Sequence, residues 1–252
     1  MFWRTVFTNL YTFIITPVLS VICLLAALLG DKKGVVWWTV ARYWAKGLMW
    51  CAGVTQVFID GKEKLEKISS AVFVANHESQ LDPPLMTYLS DKSPLRFFAK
   101  HTLAYFPLFG QALWATDQVF INREKGSRAL KNIEKTIAKI KNKDKYFFIF
   151  PEGHRSREGN LLPFKRGGFA LAMKAKLPIL PVAIAGTSDI LPPGFIFRKK
   201  GPVAIAVGDL VPTSSYDLKS LDRLVEQVRD QVAVLQQKAR KICQKISISG
   251  NL

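Results

Sequence analysis

Cysteine, histidine and acidic side chains are all scarce in this chain of 252 residues. The three cysteines, Cys23, Cys51 and Cys243, lie far apart. That spacing offers neither a disulfide framework nor a cysteine metal site, and it fits a reducing, cytosol-facing location. With only three histidines there is no cluster to hold a metal, so any one of them set in a distinctive frame carries weight. No G-x-S-x-G elbow occurs, which argues against a serine nucleophile. No internal repeat or low-complexity linker breaks the chain, and its length suits one α/β domain plus an appendage. Acidic residues number 19 against 36 basic ones, a net charge of +17. Such a surplus favours anionic partners: lipid headgroups, phosphorylated substrates, acidic carrier proteins or nucleic acid. Nucleic acid is disfavoured, because no binding motif is recognisable and the tryptophans sit apart from most of the charge.

That separation marks two regions. Residues 1–60 carry a net +3, and residues 61–252 the remaining +14. Five of the six tryptophans, Trp3, Trp37, Trp38, Trp44 and Trp50, fall in the first fifty residues. Thr5 to Leu29 contains no charge and is long enough to cross a bilayer, although Thr8, Asn9, Thr12, Thr16, Pro17 and Ser20 interrupt its apolar character. A single arginine before it and no small-x-small cleavage site after it argue against a secretory signal. Val35 to Cys51 is tryptophan-rich, with Arg42 and Lys46 sharing a helical face with Trp38. A basic, aromatic helix suits the membrane–water interface, and packing on the domain is the alternative. Residues 1–54 are expected to be a membrane-anchoring helical pair that either spans the bilayer or dips into one leaflet. Residues 55–252 are expected to form an α/β domain.

From Thr55 onward the pattern predicts strands at 56–59, 71–75, 95–99, 118–121, 146–150, 179–185 and 203–207. Several are continuous apolar runs, as in a sheet covered on both faces. Helices are predicted at 127–141 and 167–176. A long one over 215–246 carries an apolar seam from Leu221 to Ile246 that suits packing on the domain, a coiled coil or a membrane surface. The expected fold class is α/β, a central, mostly parallel sheet flanked by helices.

Chemistry concentrates just past the predicted strands. Asn76-His77-Glu78-Ser79-Gln80-Leu81-Asp82-Pro83 follows the 71–75 run. An imidazole oriented by a carboxylate can take a proton from an alcohol near neutral pH. On a regular helix two residues five apart diverge, so His77 and Asp82 meet only across an irregular turn, which Pro83-Pro84 favours. Alternatively, Asp82 caps the helix beginning at Pro83 and His77 is a satisfied buried ring. Phe150-Pro151-Glu152-Gly153-His154-Arg155 follows the 146–150 run, with Gly153 allowing close backbone approach and Arg155 offering planar donors to phosphate. Arg157, Lys165 and Arg166 follow; a solvated basic loop is the bland alternative. Arg123 and Lys100 stand just past two further strands, and cations from separate strand ends beside a histidine–aspartate pair would clamp a phosphate next to a base. The proximity of His77, Glu78 and Asp82 lacks the supporting histidines of a metal site.

The ordered set Asn76-His77-x4-Asp82, Phe120-Ile121-x-Arg123, Phe150-Pro151-Glu152-Gly153-x-Arg155 and Leu180-Pro181-Val182-Ala183 resembles the four blocks of the glycerolipid acyltransferase family, and within it the bacterial members that acylate 1-acylglycerol 3-phosphate. The likeness covers residues 72–187. It implies that His77 is the base for the acceptor hydroxyl and that Asp82 orients and charges it. Glu152, Gly153 and Arg155 would form the acceptor site, Arg123 and Lys100 would bind the phosphate, and the block around Pro181 would shape the acyl site. It further implies an O-acyltransferase at the cytoplasmic (inner) membrane, its catalytic domain facing the cytoplasm. The acyl donor would be acyl-CoA or acyl carrier protein, with no metal and no cofactor beyond that thioester. The implied partners are membrane lipids and lysophosphatidic acid, giving phosphatidic acid. His154 departs from the small hydroxyl residue usual at its place, where a bulkier, titratable ring would bear on the headgroup. The alternatives are another lysolipid acceptor, a thioesterase and a basic membrane-binding adaptor.

Overall fold

A computed structural model describes residues 2–90, 94–121, 146–156 and 159–249. Arg123, Arg157 and the helix expected over 127–141 lie outside the described residues.

The chain opens with two helices, α1 (Phe2–Leu28) and α2 (Val35–Ala52). Asp31 sets the start of α2. Its carboxylate accepts from the backbone N–H groups of Val35, Val36 and Trp37 at 2.9, 3.0 and 3.1 Å, satisfying donors that a first turn leaves open. Two of the polar residues that interrupt the apolar run of α1, Thr8 and Thr16, bond across to α2. The Thr8 hydroxyl donates to the Cys51 carbonyl at 2.9 Å, and the Tyr11 hydroxyl to that of Trp44 at 3.0 Å. In return the Trp44 indole donates to the Thr16 hydroxyl at 3.0 Å. Because these groups satisfy one another inside the pair, α1 presents Phe2, Trp3, Phe7, Phe13, Ile14 and Leu25 outward, all exposed. At roughly 40 Å, α1 is long and apolar enough to cross a membrane by length and composition. α2 is sunk into the protein, with Trp37, Trp38, Leu48 and Met49 buried in the main core.

Seven strands follow: β1 (Val54–Asp60), β2 (Ala71–Ala75), β3 (Leu95–Lys100), β4 (Val119–Ile121), β5 (Tyr146–Ile149), β6 (Ile179–Ala185) and β7 (Gly201–Val207). They form one sheet in the order β1-β7-β6-β2-β5-β3-β4. Every pairing is parallel except that of β6 with β7. Five further α-helices are described, besides short 3-10 turns: α3 (Asp82–Met86), α4 (Phe109–Ala115), α5 (Gly167–Lys174), α6 (Thr187–Ile190) and α7 (Leu221–Ser249). The protein is therefore α/β, with a mostly parallel sheet flanked by helices. On one face Phe73, Leu180, Val182 and Ile205 pack with α2 and α3. On the other, Val72, Phe147 and Ile179 meet Phe169 of α5 and Val225, Val228 and Val232 of α7. Coverage of both faces is why β2 and β6 read as unbroken apolar runs, every residue of each being buried.

Two expectations shift. The last helix begins at Leu221, not Ser215, because Asp217 Oδ1 accepts from the N–H groups of Lys219 and Ser220 at 3.0 and 2.8 Å, a local turn that competes with helix. Its seam lies against β6 and β7, so domain packing accounts for it. α4 was not anticipated; seven residues are too few to display a helical period.

Candidate active site

β2 and β5 are adjacent and parallel, with Val74 opposite Ile149, so the segments leaving their carboxyl ends run side by side. This register brings the two chemistry-bearing blocks together. The His77 backbone N–H donates to Glu152 Oε1 at 2.7 Å, and the Ser156 N–H donates to the His77 carbonyl at 2.9 Å. Glu152 Oε2 accepts from the Leu162 N–H at 2.9 Å, so this buried carboxyl staples three loop segments.

The turn after β2 is irregular, and it closes the five-residue gap. His77 Nδ1 lies 2.8 Å from Asp82 Oδ2. The same oxygen accepts from the N–H groups of Glu78 and Ser79 at 2.7 and 2.8 Å, while Asp82 Oδ1 accepts from the Thr187 hydroxyl at 2.6 Å. Asp82 is the first residue of α3 but makes no capping hydrogen bond; its oxygens are committed to the loop, the ring and Thr187. The Asp82 side chain is 0% exposed and that of His77 15%, so the carboxylate is hidden while the ring reaches the surface of a hollow. Phe150 stacks on His77 with ring centroids 4.0 Å apart and planes 19° apart, which fixes the ring's second axis.

Behind this turn lies a buried polar network. Glu78 Oε1 accepts from Gln236 Nε2 at 2.6 Å, from Asn76 Nδ2 at 3.2 Å and from Arg240 Nη2 at 3.2 Å. Gln236 and Arg240 belong to α7 and also donate to the Gly159 carbonyl. Asn76 bridges to β6, donating to the Ile184 carbonyl and accepting from its N–H. Burial and the neighbouring Asp82 charge push the Glu78 carboxyl above its usual range, against the pull of Gln236 and Arg240. Burial likewise pushes Glu152 up to about 7, although its two backbone donors act in the opposite direction.

His77, Lys100 and Arg155 all line one cavity of about 520 Å³. They leave the carboxyl ends of β2, β3 and β5, neighbouring strands of the sheet, where α/β folds place ligands. The rest of the lining is largely apolar: Leu19 and Cys23 from α1, Trp38 and Ala41 from α2, Phe97 from β3 and Ala112 from α4. Arg155 Nη1 is shielded from solvent and meets no acceptor among the described residues. Gly153 adopts φ 76°, and a side chain there would run into Lys165, its Cβ 2.8 Å from Nζ. His154 is exposed and does not line the cavity. Among the described residues, no group of three or more His, Cys, Asp or Glu side chains could hold a metal ion. Chemically, the arrangement offers a carboxylate-anchored imidazole, two cations and an apolar hollow. Sequence reasoning missed Phe150, Thr187, Gln236 and Arg240. Phe150 stands inside a recognised block and could have been noticed, whereas the other three carry no local signal.

The Acyltransferase family profile matches residues 56–185. A 1-acyl-sn-glycerol-3-phosphate acyltransferase of Saccharomyces cerevisiae is 29% identical over 83% of this chain and 68% of its own. A Caenorhabditis elegans relative, acl-2, is 34% identical over 75% of this chain and 65% of its own, so the chain spans about two thirds of the length of these curated relatives. The crystal structure of the 1-acyl-sn-glycerophosphate (LPA) acyltransferase PlsC from Thermotoga maritima is similar with a TM-score of 0.74 and 28% identity, covering 94% of this chain and 97% of that one.

Proposed function

This chain belongs to the acyltransferase family, and on that premise we propose that it transfers a fatty acyl group from acyl-CoA or acyl carrier protein to the 2-hydroxyl of 1-acylglycerol 3-phosphate, giving phosphatidic acid. The observation that carries this reading is the 2.8 Å contact of His77 Nδ1 with the buried Asp82, on the wall of a cavity whose lining is mostly apolar. With Nδ1 engaged, Nε2 is the nitrogen available to a substrate. It takes the hydroxyl proton as that oxygen attacks the thioester carbonyl. Collapse of the tetrahedral adduct breaks the carbon–sulfur bond, and the proton passes from His77 to the departing thiolate. Asp82, held in place by four hydrogen-bond partners, supplies the counter-charge that stabilises the imidazolium between these events. No metal is required, since the thiol is a good leaving group.

Arg155 and Lys100, with Arg123, are the cations for the acceptor phosphate; the unmet Nη1 of Arg155 supports that role. Glu152 serves the site from behind by bracing the backbones of His77 and Leu162. The acyl chain occupies the apolar cavity between the helix pair and α4. Residues 1–54 anchor the catalytic domain at the cytoplasmic membrane, on its cytoplasmic side.

The test is product formation from lysophosphatidate and a panel of thioesters, comparing wild type with a folded His77→Ala variant. Loss of about 10²–10⁴-fold in kcat is expected. Wild-type turnover in the variant would sink the base assignment. Free fatty acid released at full rate without acceptor would make the protein a thioesterase, and a preference for zwitterionic lysolipids would overturn the acceptor.

A further inference from the structure

The helix pair carries a second hollow of about 990 Å³, which shares no lining residue with the cavity at His77. Its walls are apolar and outward-facing. Phe7, Leu10 and Ile14 of α1 are 61%, 47% and 58% exposed, and Trp50 of α2 is 80% exposed. Two cations, Arg4 and Lys200, line it as well. Both press on one glycine: a Cβ at Gly53 would lie 2.8 Å from Lys200 Cγ and 3.0 Å from Arg4 Nη1. Arg4 Nε and Nη2 are shielded from solvent and meet no acceptor among the described residues. Nor does any described carboxylate pair with Arg4 or Lys200.

Two like charges brought together beside apolar walls, one with shielded and unmet donors, call for an anion. A free ion would answer the cations and leave the trough of Phe7, Leu10, Ile14 and Trp50 uncovered. A neutral lipid would cover the trough and leave the guanidinium unmet. We propose that this hollow binds an anionic phospholipid, its phosphate between Arg4 and Lys200 and an acyl chain along the trough, separate from the lipids that react at His77. The mismatch between a strongly cationic corner and an outward apolar wall is what an amphiphile with a charged head resolves. Bound there, the lipid would tie the start of α1 to the segment entering β7, fixing the helix pair against the sheet.

The experiment uses the full chain, equilibrated with phosphatidylcholine vesicles with or without phosphatidylglycerol, extracted in mild detergent and weighed by native mass spectrometry. Wild type should retain one phosphatidylglycerol. Retention should weaken about fivefold for each cation removed in Arg4→Gln and Lys200→Gln, and about 25-fold in the double variant. An equal charge change at the other end of the last helix, Lys219→Gln with Arg223→Gln, should leave it intact. Turnover in detergent should be unchanged in all of these, since neither cation lines the catalytic cavity. Lys200→Gln alone keeps the test informative if the Arg4 variant does not fold, because Lys200 is exposed. Any of four results overturns the proposal. These are equal loss in the distant control, full retention in the double variant, equal retention of phosphatidylcholine, and displacement of the lipid by inorganic phosphate.

Discussion

Asp82 distributes its partners unevenly, with three donors on Oδ2 and one on Oδ1. Asp82→Asn can keep its oxygen at the crowded corner and turn its amide toward Thr187, whose hydroxyl is free to accept instead. Folding should therefore survive while the imidazolium loses its counter-charge. A fall in kcat of about 10²–10⁴-fold is expected, with little change in thermal unfolding; activity assays and melts on the same preparation check it. Glu152 provides a pH signature. Its carboxyl titrates near 7 in the fold instead of at 4.5, so between those values the folded chain holds a proton that the open chain has released. The folded state then binds more protons, and the contribution to stability falls as pH rises through that window. Melting temperatures followed across it should decline more steeply in wild type than in Glu152→Gln. The His77–Asp82 pair was legible because both residues, and the Pro83-Pro84 pair that follows and favours an irregular turn, stand in one short block. Thr187, 105 positions from Asp82, was not, since only the closing of β6 against β2 brings it near.

At the scale of elements, α7 does more than cover the sheet. Gln236 and Arg240, one turn apart, reach over the top of the fold to hold both Glu78 and the Gly159 carbonyl. Arg229 adds a hydrogen bond to the Leu161 carbonyl at 3.2 Å. The helix thereby clamps the two blocks of the site from one side. Replacing Gln236 and Arg240 together by alanine strips the buried Glu78 carboxylate of two of its donors, leaving those of Asn76 and Ser188. We expect about 1–3 kcal/mol of lost stability per unmet group, with a drop in kcat as the His77 turn loosens; chemical denaturation and steady-state kinetics would reveal both. Strand positions came directly from continuous apolar runs, and the seam of α7 was visible as alternating steps of three and four. What the seam faced was not, because a helical stripe specifies burial without specifying its partner. α4 escaped because its apolar residues have too few turns to repeat.

For the molecule as a whole, charge and apolar surface act on the membrane by separate routes. Most of the +17 lies beyond residue 60, while the outer face of α1 is apolar and exposed. At about 1 M salt the screening length falls to about 3 Å, which silences the first route and leaves the second. The protein should therefore sediment with membranes after a high-salt wash and be released by detergent; release by salt alone would show that the helix pair contributes little. Composition foretold this division, but the order of strands could not be read from it, since each apolar run fits any interior position in a sheet. One further consequence concerns attempts to make a water-soluble version. Because Leu19, Cys23, Trp38 and Ala41 help enclose the hollow beside His77, cutting away the first two helices would unroof the hollow proposed for the fatty chain along with removing the exposed apolar face of α1. The same cut would also take Trp37, Trp38, Leu48 and Met49 out of the main core.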